Sequence, residues 1–174
     1  MKGPEIQVVR TVAKNVDLRR VKPGRAGVIL FYREKGLFGF GVDARYREIT
    51  DFAGGVVYGK DYNVIRGALR EFKEETLGLF GELSEYKVRN CPVLYDGNNL
   101  VIFLETLIPP VDISKEFLEA YKCALADCDP KNKPEVCGIR WFSWEEMQKE
   151  IRGFFMFGRL RNFLYKAGDF AAML

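Results

Sequence analysis

Three glutamates and an arginine lie within one short run, Arg70-Glu71-Phe72-Lys73-Glu74-Glu75. In a helix of about 3.6 residues per turn, Glu71, Glu74 and Glu75 share about a third of the circumference. Ile65, Ala68, Leu69 and Phe72 fill the adjoining arc, so one edge buries while the acids face out. Glu71 and Glu75 stand one helical turn apart, a like-charge arrangement that costs an isolated helix about a few tenths of a kcal/mol. Clustered carboxylates invite a compensating charge, and a hard divalent cation with oxygen ligands supplies one. Arg66, Arg70 and Lys73 are near enough to neutralise the same face, as on an ordinary solvated helix. The glycine pair Gly54-Gly55 and the polar loop ahead of the helix favour the metal reading.

Residues 54–80 resemble the Nudix box, G x5 E x7 R E U x E E x G U, where U is an apolar residue. Gly55 matches the opening glycine, and residues 70–75 match the heart of the motif without a gap. Two departures stand out. The segment between Gly55 and Arg70 is one residue longer than the pattern, with Asp61 in place of the early glutamate. Thr76 and Leu77 precede Gly78 where the pattern has a single residue.

The resemblance implies an α/β/α sandwich around a mixed β-sheet, and a hydrolase acting on acid anhydrides with Mg²⁺ or Mn²⁺ as cofactor. It implies Glu74 and Glu75 as metal ligands, with Glu71 beside them and Gly55 letting the backbone bend close to the metal. Glu74 and Glu75 are also the first catalytic candidates, and Arg70 steadies the acids. Glu135 is a candidate general base, because several members of the family carry that glutamate outside the box, before a late strand. A box glutamate is the alternative, and a solvated acid beside Lys131 and Lys133 is the bland one.

Composition narrows the chemistry further. The chain has 174 residues, enough for one domain with a proper core. A net charge of +3 permits contact with polyphosphate or RNA without arguing for either. Histidine is absent, which excludes Ser-His-Asp and Cys-His nucleophiles and HExxH zinc hydrolases. Acid–base work therefore falls to carboxylates, lysine, tyrosine or activated water. Cys91, Cys123, Cys128 and Cys137 form no C-x-x-C pair and read as reduced structural thiols. The first residues, MKGPEIQVVR, lack the apolar core of a signal peptide, and no run has the length of a transmembrane helix. The expectation is a cytoplasmic or nuclear protein with no membrane partner.

A single domain spanning 1–174 is expected. It opens with a basic segment holding Arg10, Lys14, Arg19, Arg20, Lys22 and Arg25 and a short strand within 7–12. Strands follow at 26–32 and 37–42, and 47–52 leads to the glycine pair. The box helix spans 62–79, with Asp61 or Asn63 as its N-cap. Strands at 86–94 and 100–107 flank an Asp96-Gly97-Asn98-Asn99 turn, and Pro109-Pro110 stops the second. A helical insert near 112–126 carries Phe117, Leu118, Tyr121 and Leu125 on one face. A strand at 135–144 precedes a helix capped by Ser143 with Glu146 completing a capping box. A basic, aromatic C-terminal helix is expected within 152–174, interrupted by Gly153 and Gly158.

The substrate class is wider than the motif. Nucleotides, dinucleotides, inositol pyrophosphates and the 5′ cap of RNA all carry phosphoanhydrides. Cap or RNA binding, as in mRNA decapping, would use aromatic side chains to stack bases, and Trp141 and Trp144 are available. The rival to the enzyme is a Nudix-fold protein that binds nucleotide or RNA without cleaving it. Its discriminating sign, loss of box acids, is missing here.

Overall fold

The computed structural model describes residues 7–174; residues 1–6, where the segment read as lacking a leader begins, lie outside that range. The sheet is built around β2 (Arg25–Tyr32), whose Val28, Ile29 and Leu30 are fully buried. A strand that is apolar on both faces needs cover on both sides, and helices supply it. The remaining strands are β1 (Val9–Val12), β3 (Leu37–Asp43), β4 (Ile49–Thr50), β5 (Phe52–Gly55), β6 (Pro92–Tyr95), β7 (Asn99–Glu105) and β8 (Val136–Phe142). The helices are α1 (Tyr58–Asp61), α2 (Val64–Glu75), α3 (Pro110–Asp127), α4 (Trp144–Arg152) and α5 (Gly158–Ala167).

The sheet runs β1-β6-β7-β2-β3-β4, with β5 against the first half of β2 and β8 against β3. β2 and β7 are parallel, with Val28 opposite Ile102; the other pairs are antiparallel, so the sheet is mixed. Alternate residues of β2 feed two cores. Ala26, Val28 and Leu30 meet Ile65, Leu69 and Phe72 of α2 and Phe117 of α3. Ile29 and Phe31 join Met147 and Ile151 of α4 and Leu160 and Phe163 of α5 on the other side. The architecture is thus the α/β/α sandwich around a mixed sheet expected from the sequence.

Several local expectations are corrected. The box helix is shorter than 62–79: Asn63, one of the two expected caps, opens α2 by accepting the Arg66 N–H at 2.9 Å, and the chain before it forms the separate turn α1. Its C-terminal end falls at Glu75, with Leu77 and Gly78 both left-handed at φ +56° and +74°. That is where the residue added before Gly78 is absorbed. The segment 86–94 is strand only from Pro92: Val88 sits wholly buried within a series of turns, bonding back to Ser84. On α3 the covered stripe is Ile113 and Phe117, with Tyr121 packed beside them, whereas Leu118 and Leu125 are exposed. Pro110 does not merely stop a strand; it opens α3 at the first helical position, where its missing N–H costs nothing.

Other expectations match. The Ser143–Glu146 capping box is complete, and Asp96 accepts the Asn98 and Asn99 N–H groups to close the β6–β7 turn. Gly153 ends α4 and α5 begins at Gly158, leaving Phe154 and Phe155 exposed between the two helices. All four cysteines are free thiols. No described helix is long and apolar enough to cross a membrane.

At Gly27 the β2–β5 seam has no room for an added atom. A Cβ at Gly27 would lie 2.1 Å from the Ala53 Cβ and 2.4 Å from the Phe52 carbonyl oxygen. Because the obstacle includes strand backbone, Gly27→Ala is expected to cost about 1–3 kcal/mol of stability, measured by urea unfolding. An unchanged midpoint would show that the two strands part more easily than their register implies.

Candidate active site

The site begins where β5 runs into α2. Gly54 and Gly55 pair with Ala26 and Arg25 of β2, placing bare backbone against the first turns of the helix. The Glu71 carboxylate occupies the volume a side chain at position 54 would need: a Cβ there would lie 2.4 Å from the Glu71 carboxyl carbon. Glycine is required at 54 for this close approach.

Arg70 is the hub of the cluster. Its Nε donates to Asp61 at 2.6 Å and its Nη2 to the other Asp61 oxygen at 3.0 Å, a bidentate pair. Nη1 donates to Glu71 at 3.1 Å and Glu74 at 3.3 Å, and Nη2 also reaches the Gly55 carbonyl at 3.1 Å. Asp61 is buried at the end of α1, and its Oδ2 also accepts the Val57 N–H at 2.8 Å. The turn α1 shortens the loop and carries the aspartate inward, so a side chain one methylene shorter than glutamate reaches the guanidinium. Arg70 holds the Asp61 carboxyl below the usual carboxylate range, helped by the Val57 N–H. In return Asp61, followed by Glu71, pushes the proton affinity of Arg70 up.

Glu71, Glu74, Glu75 and Glu135 all line one cavity of about 630 Å³, together with Gly54 and Gly55. Their surroundings differ. Glu71 is mostly buried, and burial raises its carboxyl against the pull of Arg70. Glu74 is largely exposed at the rim, tethered to Arg70. Glu75 is partly buried within hydrogen-bonding reach of Glu135, and burial, then Glu135, pushes its carboxyl up to about 9. Glu135 is exposed at the entry to β8, where its carbonyl accepts the Ala44 N–H. A register shift between Val42 and Asp43 lies beside it, a bulge of the sort often found next to active sites. The residues singled out by sequence are therefore brought together, with Arg70 and Asp61 as the clamp behind them.

Sequence reasoning missed a second ion pair. Arg25 donates to Asp51 at 3.0 and 2.6 Å, with the Asp51 side chain fully buried and Arg25 nearly so. The Arg25 guanidinium also lies 5.1 Å from the centroid of the Phe157 ring. Burial opposes its charge, yet Asp51, and beyond it Glu75 and Glu71, carries the net proton affinity upward. Arg25 is thus the positive charge facing the inner side of the acid cluster. Nothing local marks it: in the sequence it is one of several basic residues in an N-terminal segment, and its partner lies across the β2–β5 pairing.

Among the described residues no group of three or more acidic or cysteine side chains is drawn together as a ready metal cage. The donor chemistry still fits a hard cation. The carboxylates of Glu71, Glu75 and Glu135 face one cavity beside bare glycine backbone, and Glu75 and Glu135 are like charges in contact. Such a pair needs a shared proton or a cation.

No family model matches the chain, and no curated protein matches it. Among solved structures, the chain is similar to the C. elegans Ap4A hydrolase at 16% identity, over 82% of this chain and 92% of that chain, with a TM-score of 0.41.

Two expectations follow from the electrostatics. Removing one partner of a buried ion pair leaves the other uncompensated, so Asp61→Ala is expected to lose about 3 kcal/mol, read by urea unfolding. A loss within experimental error would show that the clamp carries no stability. For Glu75, a carboxyl raised from 4.5 to about 9 binds more proton folded than unfolded. The metal-free chain should then lose stability as pH rises between those values, and Glu75→Gln should flatten that slope. Calorimetric midpoints measured against pH in chelator check this; equal slopes in the two proteins would refute it.

Proposed function

We propose that this chain is a divalent-metal-dependent pyrophosphohydrolase of the Nudix kind, cleaving a diphosphate linkage between a nucleoside and a second group. The observation that carries this reading is the convergence of Glu71, Glu74, Glu75 and Glu135 on one cavity floored by Gly54 and Gly55. Nucleotides, dinucleotides and capped RNA fall within the substrate class, and inositol pyrophosphates share its bond.

The chemical problem is charge: a phosphoanhydride repels a nucleophile, and the transition state spreads negative charge over the phosphoryl oxygens. Mg²⁺ or Mn²⁺, when bound, neutralises that charge and acidifies water. Glu71, Glu75 and Glu74 are the residues that would hold it, and the chain arranges the rest. Arg70 fixes the Glu71 and Glu74 carboxylates in orientation through one guanidinium. Gly54 and Gly55 keep the cavity wall free of side chains where phosphate oxygens must approach. Lys133, on the same cavity wall, offers an ammonium to those oxygens. Glu135, solvent-exposed and beside Glu75, is the residue that would take the proton of the attacking water. Histidine, the commonest general base, is absent from the chain, and Glu135 is the exposed carboxylate of the cavity beside Glu75.

The test is a substrate panel with each metal: nucleoside triphosphates, dinucleoside polyphosphates, nucleotide sugars, an inositol pyrophosphate and capped RNA. Glu75→Gln is expected to lower kcat about a thousandfold and Glu135→Gln about a hundredfold, with the fold retained by circular dichroism. Wild-type turnover in both variants would overturn the assignment. Nucleotide binding by the native chain without turnover of any panel member would establish the non-catalytic alternative.

A further inference from the structure

Between α4 and α5 the chain turns two large apolar rings outward: Phe154 is 90% exposed and Phe155 70%. Single exposed apolar residues are ordinary, but two adjacent rings held out from a fixed backbone are not. The segment that carries them is pinned to β4. Ile49 N–H donates to the Phe155 carbonyl at 2.7 Å, and Phe157 N–H donates to the Ile49 carbonyl at 2.8 Å. Met156, next in the chain, is buried among the side chains of α4 and α5. On the other flank Arg161 donates to the Gly153 carbonyl at 2.6 Å. Among the described residues neither ring is covered by a guanidinium or an ammonium group.

The charges that border the rings are sorted by depth. In the two stretches joined by those hydrogen bonds, 43–50 and 149–157, every exposed charged residue is a cation: Arg45, Arg47, Lys149 and Arg152. The acids of the same stretches, Asp43, Glu48 and Glu150, are half-buried, and Asp43 is engaged by the Tyr46 N–H. The outermost layer is therefore aromatic and positive. The exposed apolar line of α3 is different, because exposed Asp112, Glu116 and Glu119 accompany Lys115 and Lys122 there. A protruding ring finds no cover on a flat, rigid surface, whereas a fluid interface closes around it. Aromatic and aliphatic side chains enter the headgroup layer of a bilayer, and acidic headgroups attract cations held beside them.

We propose that this corner of the molecule docks on an anionic lipid surface, with Phe154 and Phe155 entering the headgroup layer and Arg45, Arg47, Lys149 and Arg152 meeting acidic headgroups. Contact of this kind is made by side chains on a folded surface and needs no spanning helix, so the sequence carries no apolar run to announce it. The inference is independent of the proposed hydrolysis, and it is read without metal, substrate or turnover.

The experiment is flotation of the full chain with two kinds of vesicle, phosphatidylcholine alone and phosphatidylcholine with phosphatidylserine in about a 3:1 ratio. Binding to the anionic vesicles is expected to be about tenfold stronger than to the neutral ones, and to fall as added salt screens the headgroups. Replacing both rings, Phe154→Ser with Phe155→Ser, should weaken binding to the anionic vesicles about tenfold. Lys149→Gln with Arg152→Gln should weaken it severalfold and reduce its salt dependence. All four side chains are exposed, and circular dichroism checks that each variant keeps its fold. If the double phenylalanine variant loses its fold, Phe154→Ser alone carries the same test. Binding to neither vesicle, equal binding to both, or unchanged binding after loss of the rings would overturn the proposal. A dimer in sedimentation velocity that requires both phenylalanines would overturn it as well, by assigning this face to a second copy of the chain.

Discussion

The Asp61–Arg70 ion pair is the contact on which the rest of the site depends. A nearly buried carboxylate is expensive to desolvate, and only a fully engaged partner offsets that cost. Arginine meets the need because its planar fork presents several donors in fixed directions. Here one guanidinium serves Asp61, Glu71, Glu74 and the Gly55 carbonyl. The loop, the helix and the strand end are thereby fixed relative to one another by a single group. A lysine, with one point charge on a flexible stem, could not span the same partners.

A second guanidinium works from the opposite side. Arg25, held by Asp51 and set against Phe157, presents positive charge to the inner face of the cluster. Glu75 lies in the field of that charge and in contact with Glu135. The cluster is therefore balanced between two fixed cations, while its outer face opens to a cavity with further acids. Charge of one sign is thus concentrated at one cavity, and the fold confines it there.

How much of this was legible in the sequence follows from how local each cause is. Residues 70–75 were readable because a helical period places their charges together without reference to any other element. The capping box at Ser143, the turn at Asp96 and the breaks at Gly153 and Gly158 were readable for the same reason. The Arg25–Asp51 pair was not, since it depends on the β2–β5 register, and neither was the Glu75–Glu135 contact, which depends on where β8 enters the sheet. The segment 86–94 misled because Tyr86, Val88 and Val93 have strand-forming side chains, whereas Val88 is buried from within a turn. The α3 stripe was read too wide: the buried pair Ile113 and Phe117 marks a narrow contact, and Leu118 and Leu125 fall outside it.

The pairing of early strands with late ones has a consequence for how the molecule comes into being. Val9 sits opposite Tyr95, Val28 opposite Ile102, and Phe38 opposite Phe142. Sheets closed by such distant partners form slowly, because the entropy of ordering the intervening chain is spent before the contacts repay it. During synthesis the acid-bearing helix leaves the ribosome well before β8, whose arrival brings Glu135 to it. A nascent chain therefore carries a charged helix on an open sheet until β8 brings Glu135 to it. The acid-lined cavity is thus assembled late in synthesis, from residues far apart in the chain.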